Sequence, residues 1–260
     1  MTFESGSARQ KRSGLDVRET LGDKFSKKMT MLPFFISLRR WIGARLESLY
    51  WRRWIAARGG KLPQLYQSQL DKSAPLSPFH CRFIDHLPQS KIKILDVGAG
   101  PMTGLGKTHP SKEIEIIATD VLAEEYARTL RKYGVEPPVP TIYADAENLT
   151  AVFAGVSFDY VTANNSIDHC RNPLKALVEM LKVVKTGCYI SVRHRENEAK
   201  RTNYLGMHEW NFKLKGGTPL LWRGGEEIDI PKALASYGQV TIIPEEHHVV
   251  FAVKKLYSLG

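Results

Sequence analysis

The chain has 260 residues, 43% of them hydrophobic and 10% aromatic, enough for one large domain or one domain with an appendage. That composition excludes global disorder, collagen and low-complexity fibre. The formal charge of +10 is uneven: residues 1–60 hold 13 of the 37 lysines and arginines but only 5 of the 27 acids. The basic excess therefore belongs to an N-terminal appendage, whereas a nucleic-acid enzyme would carry it around its cleft.

Residues 1–30 are polar and aperiodic and are expected to form a disordered basic arm. No secretory signal is expected, and the longest uncharged stretch near the start, Met29–Leu38, is too short for the ~20 apolar residues of a membrane span. Residues 31–90 are expected to form a helical extension. Phe34, Leu38, Trp41, Ile42, Leu46, Leu49 and Ile55 recur with a helical period, with arginines between them, up to Gly59-Gly60. Such a face is expected to pack on the core domain; peripheral contact with an anionic membrane is the alternative, and nucleic-acid binding is not expected. A second helix is expected around Phe79–His86.

From Lys91 the pattern alternates between apolar runs and helices. Strands are predicted at Ile92–Val97, Ile114–Thr119, Pro140–Ala144, Phe158–Ala163 and Cys188–Val192, with helices at Ala123–Tyr133 and Pro173–Val184. This implies an α/β, Rossmann-like fold with a mostly parallel sheet covered on both faces. Val240–Ile243 and Val249–Val253 are too close for a crossover, so they should form an antiparallel hairpin that places one reversed strand at the sheet's end, giving seven strands. Cys81, Cys170 and Cys188 are odd in number and form no CxxC pair, which points to a reducing, cytoplasmic compartment.

The segment Asp96-Val97-Gly98-Ala99-Gly100-Pro101-Met102-Thr103-Gly104 delivers a glycine-rich turn from a buried strand, where doubly wound folds bind ligands. Three ligands compete for it. A dinucleotide needs a glycine where Thr103 stands. A nucleoside triphosphate needs one where Pro101 stands, five residues before Gly106-Lys107-Thr108. A sulfonium nucleoside suits the carboxylate of Asp96, which would repel a pyrophosphate.

With its successors in order, this segment resembles the first motif of class I S-adenosylmethionine-dependent methyltransferases, in the small-molecule, type 11-like branch. Asp120 stands where that family places an acid on the ribose hydroxyls. Asp145-Ala146-Glu147 resembles the adenine segment, and Phe158–His169 the fourth-strand motif. Lys185-Thr186-Gly187 resembles the Lys-Pro-Gly entry to strand five, with Thr186 for Pro. The resemblance covers roughly Lys91–Lys255, so residues 91–260 are expected to be the methyltransferase domain. It implies S-adenosylmethionine as cofactor, held by Asp96, Gly98, Ala99, Gly100, Asp120, Val121, Asp145, Ala146 and Asn164.

It also implies a small-molecule acceptor, with specificity in the segment His194–Asp229. Asn165, His194, His208, Trp210 and Asn211 are the expected acceptor-side residues. His169, the residue of near-neutral ordinary pKa beside the fourth strand, is the candidate base. No metal is expected, although His194, Glu198 and His208 would be one ligand set if they converged. His247-His248 is expected to be solvated. A nucleobase amine methyltransferase is disfavoured, because Asn164-Asn165-Ser166-Ile167 replaces the Asn/Asp-Pro-Pro-aromatic tetrapeptide of that class. A nicotinamide-dependent oxidoreductase and a non-catalytic binding protein remain the rivals.

Overall fold

The computed structural model describes residues 33–257, so the basic arm expected at 1–30 lies outside the described residues. The boundary between the chain's two compact units falls at Arg40/Trp41, inside the first helix, α1 (Pro33–Ala56). The larger unit, Trp41–Gly260, carries everything described below. After α1 the Gly59 amide closes the helix end by donating to the Trp54 carbonyl at 2.9 Å. Two short proline-led helices follow, α2 (Pro63–Leu70) and α3 (Pro78–Cys81). The helix expected at Phe79–His86 is thus a single α-turn followed by tighter turns.

The central sheet is built from β1 (Lys91–Val97), β2 (Glu113–Asp120), β3 (Thr141–Tyr143), β4 (Phe158–Asn164) and β5 (Val184–Arg195). It is completed by β9 (Gly238–Ile242) and β10 (His248–Lys255), in the order β3-β2-β1-β4-β5-β10-β9. Helices α4 (Ala123–Lys132), α5 (Leu149–Val152) and α6 (Pro173–Val183) supply the crossovers. The first five strands pair in parallel. All residues of β4 but the last are buried, as expected of a strand covered on both faces. The core joins Leu95, Val97, Val161, Ala163, Ile190 and Val192 to Leu177 and Leu181 of α6.

The reversed strand was expected at the end of the sheet and is not there. β10 is antiparallel to β5 on one side and to β9 on the other, so it sits inside and β9 forms the edge. The segment His194–Asp229 folds as a second, separate antiparallel sheet of β6 (Asn211–Lys215), β7 (Thr218–Arg223) and β8 (Glu226–Asp229). It is entered by a single turn, α7 (Glu198–Arg201), and left by α8 (Ile230–Leu234).

Helix α1 departs from expectation in a different way. Among the described residues read as its packing face, Leu38, Trp41, Ile42, Leu46 and Leu49 are exposed, and only Ile55 is buried. Gly43 and Ile55 are buried and Trp51 and Trp54 half-buried, so the inward face lies on the opposite side. Periodicity marks a face but not which way it points.

Candidate active site

β1 and β2 are paired in register, so Asp96 and Asp120 finish adjacent strands. The Gly98 and Ala99 amides both donate to the Thr119 carbonyl, at 2.8 and 2.9 Å, which pins the loop across the end of β2. Gly98 has φ +71°, and a Cβ there would lie 2.3 Å from the Ser166 Cβ; the loop and the end of β4 can meet only through glycine. Ser166 completes the junction by donating from Oγ to the Val97 carbonyl at 2.9 Å. Gly100 has φ +67°, and a Cβ there would come to 3.2 Å from the Trp51 ring. Trp51 of α1 thus covers the loop. Its indole donates to Glu47 at 2.8 Å and meets Tyr126 edge-on.

Asp96 is buried and accepts from Thr103 Oγ1 at 2.6 Å. Burial pushes its carboxyl up to about 6; the Thr103 bond opposes the shift, and the charge of Asp120 adds to it. Asp120 accepts from the Gly100 amide at 3.1 Å and the Leu122 amide at 2.8 Å. Burial raises its pKa as well, against those two bonds and the attraction of His169; Glu47 pushes it further up. A buried carboxylate and a half-buried one, both biased toward protonation, therefore flank the glycine loop. Such a place is stabilised by an incoming cation and repels an anion.

The other expected cofactor residues lie around this loop in more open positions. Val121 and Asp145 are exposed and Ala146 half-buried; the Asp145 side chain caps the following turn by accepting from the Glu147 amide at 2.9 Å. Asn164, expected at the cofactor, and Asn165, expected on the acceptor side, are both exposed. Asn165 is left-handed (φ 53°) and accepts from the Arg195 amide at 3.1 Å, tying the end of β4 to that of β5.

Beyond β4 the structure assembles a cluster that residue spacing did not reveal. Asp168, fully buried, accepts from His194 Nε2 at 2.8 Å on one oxygen and from His208 Nδ1 at 2.5 Å on the other. His169 Nε2 lies 3.1 Å from His208 Nδ1. The Asp168 carbonyl accepts from the Glu209 and Trp210 amides, which fixes the loop bearing His208. Burial alone would raise the Asp168 pKa, but His169, His194 and His208 together hold it well below the usual carboxylate range. His208 moves up instead: burial opposes this, and the bond and charge of Asp168 prevail.

Asp168, His169 and His208 each offer one ligand atom, all within 4.8 Å of one another, a set compact enough for a metal ion. The His194–Glu198–His208 set is not the one formed, since His194 is engaged on the other oxygen of Asp168 and stacks on Phe212.

Three expected acceptor-side residues, His194, Trp210 and Asn211, are buried. His194 belongs to the Asp168 cluster. Trp210 donates to the Arg171 carbonyl at 3.1 Å beneath the guanidinium of Arg223. Asn211, fully buried, accepts from the Lys200 amide at 2.8 Å. His247 is exposed as expected, but His248 is half-buried, with Nδ1 3.1 Å from Glu245. Glu47, Trp51, Thr103, Ser166 and Asp168 were missed as site residues. Only Asp168 left a sequence signal, as the acid before His169 at the end of a buried strand.

A family described as a methyltransferase domain, of type 11, matches residues 95–192, a span containing the glycine loop, Asp120, β4, Asp168 and His169. No curated protein matches the chain. Among solved structures, the CurJ carbon methyltransferase is 16% identical, with 67% of this chain and 51% of that one covered at a TM-score of 0.46. The citrinin polyketide synthase CMeT domain is 15% identical, with 67% and 50% covered at 0.46. An S-adenosylmethionine-dependent methyltransferase from Clostridium acetobutylicum is 14% identical, with 69% and 89% covered at 0.43. The chain spans about half the length of the first two. The matched span, residues 95–192, is similar to methyltransferase domains of the type 11 branch of class I, S-adenosylmethionine-dependent enzymes.

Proposed function

We propose that the chain uses S-adenosylmethionine to methylate a small-molecule acceptor, with Lys91 onward forming the reacting domain and residues 31–90 a helical extension. A cytoplasmic location belongs to this reading. The observation that carries it is the pair of carboxylates at the ends of adjacent strands, buried Asp96 and half-buried Asp120, on either side of Gly98–Gly100. That environment suits a cationic nucleoside and opposes a pyrophosphate, which separates it from the nicotinamide alternative.

When bound, S-adenosylmethionine supplies a methyl group on a sulfonium, a leaving group that recovers its electron pair on sulfur. Asp96 faces the methionine end. Asp120, pre-set by the Gly100 and Leu122 amides, accepts from the ribose hydroxyls. Val121, Asp145 and Ala146 border the adenine, and Asn164 and Asn165 mark the acceptor side. Trp51 covers the loop and limits water there.

An acceptor oxygen, nitrogen or carbon that took up the methyl group would have to lose a proton to a base of this chain. The sequence pointed to His169 as the base, and the geometry favours His208. Asp168 holds the proton of His208 on Nδ1, so the lone pair resides on Nε2, the arrangement of an oriented general base. His169, His194, Trp210 and Asn211 then serve as positioning residues.

Isothermal titration of the full chain tests the reading. Binding of S-adenosylmethionine and S-adenosylhomocysteine with none of NADH is expected; NADH binding, or no heat from either nucleoside, would overturn it.

A further inference from the structure

From Trp41 onward, helix α1 is amphipathic in the inverted sense for a helix docked on a core. Its inward side carries Gly43, Ala44, Glu47, Ser48, Trp51, Trp54 and Ile55. Gly43 is pressed against the Gly206 carbonyl, where an added Cβ would come to 2.4 Å. Its outward side carries Trp41 and Tyr50, each 59% exposed, and Ile42, Leu46 and Leu49, each 45% exposed. At about 100° per residue, Leu49, Ile42 and Leu46 form the centre of this face, with Trp41 and Tyr50 at its two margins. Arg45, Arg52 and Arg53 are exposed on the same half of the helix. The Arg45 guanidinium lies over the Trp41 ring, 5.3 Å from its centre.

We propose that this face of α1 lies in the surface of an anionic lipid bilayer. An aliphatic strip bounded by aromatic rings and interleaved with arginines matches the layering of a membrane surface: acyl boundary, interface and charged headgroup. Charge selects this occupant over a second copy of the chain, because a self-complementary interface would bring Arg45, Arg52 and Arg53 toward their own equivalents without a counter-ion. The helix lies along the surface; no helix of the described residues is long and apolar enough to cross a membrane.

The test is flotation of the full chain with vesicles of phosphatidylcholine alone and with vesicles also containing phosphatidylglycerol. L46E/L49E and R45E/R52E/R53E are run beside it, with far-ultraviolet circular dichroism as the check on folding. The unsubstituted chain should float only with the anionic vesicles, and the triple arginine variant should bind them roughly a hundredfold more weakly. L46E/L49E should lose binding although its charge change is smaller. Three results would overturn the proposal: no flotation with anionic vesicles, flotation unchanged in L46E/L49E, or a dimer in solution that L46E/L49E dissociates. The last would assign the face to a second copy.

Discussion

His208 and Asp168, forty residues apart, share a hydrogen bond of 2.5 Å that joins the loop before the small sheet to the end of β4. The bond does two things at once. It holds a buried anion inside the fold, and it raises the pKa of the imidazole facing it.

The catalytic consequence is a pH profile. A base acts in its neutral form, so methyl transfer should rise with pH through the raised pKa of His208, above the ordinary imidazole value of ~6.5. In Asp168→Asn the attracting charge is gone, and the limb should move to lower pH while activity falls. His208→Gln should lower kcat and erase the limb. An unmoved limb in Asp168→Asn would exclude His208 as the base.

Stability responds to the same pair from two sides. The lowered pKa of Asp168 contributes stability above the unfolded carboxylate value, and this is lost as pH falls through the folded one. The raised pKa of His208 contributes stability that is full below the unfolded imidazole value and is lost as pH rises through the folded one. Asp168→Asn leaves three imidazoles without their buried counter-charge and should cost about 3–5 kcal/mol in urea unfolding near neutrality. The deficit should grow as pH falls through the imidazole range and shrink only below the unfolded carboxylate value.

Asp96 gives the proposed cofactor site its own proton linkage. Its folded pKa of about 6 lies above the unfolded value, so its contribution to stability is full below the unfolded carboxylate pKa and is lost as pH rises through about 6. A bound sulfonium favours the ionised form. Affinity for S-adenosylmethionine should therefore increase from pH 5 to 7 with proton release, and affinity for the neutral thioether S-adenosylhomocysteine should change less. Calorimetry in buffers of different ionisation enthalpy measures the proton directly.

Asp120→Ala removes the carboxylate that orders both Gly100 and Leu122. Losing a charged hydrogen-bond acceptor should weaken S-adenosylhomocysteine binding roughly 10- to 100-fold, with a smaller effect on melting temperature. Unchanged affinity in titration would remove Asp120 from the cofactor site.

Gly98→Ala combines a left-handed backbone with a Cβ 2.3 Å from that of Ser166. Unfolding free energy should fall by about 2–4 kcal/mol. Adding Ser166→Gly should recover the steric part and leave the backbone part. A melting curve for the single and double variants separates the two.

Strands β1, β2 and β4 were legible because buried parallel strands read as apolar runs, and a glycine loop at their ends has few alternative explanations. The interior position of β10 was not legible, since a hairpin announces its reversal but not its neighbours. The small sheet was hidden because β6 and β8 carry lysines and glutamates at positions that face water. Trp210 and Asn211 read as acceptor-side groups, and only the fold supplies the Arg171 carbonyl and the Lys200 amide as their partners. Asp168 passed as one acid among many, because its histidines at 194 and 208 reach it only through the fold.

The placement of β10 between β5 and β9 sets an order of assembly. Until residues 248–255 have been synthesised, β5 presents a bare flank of amides and carbonyls, and β9 has no strand to join. A nascent chain therefore holds strands β1 to β5 before the sheet can close, and in that interval its open edge is most exposed to mispairing.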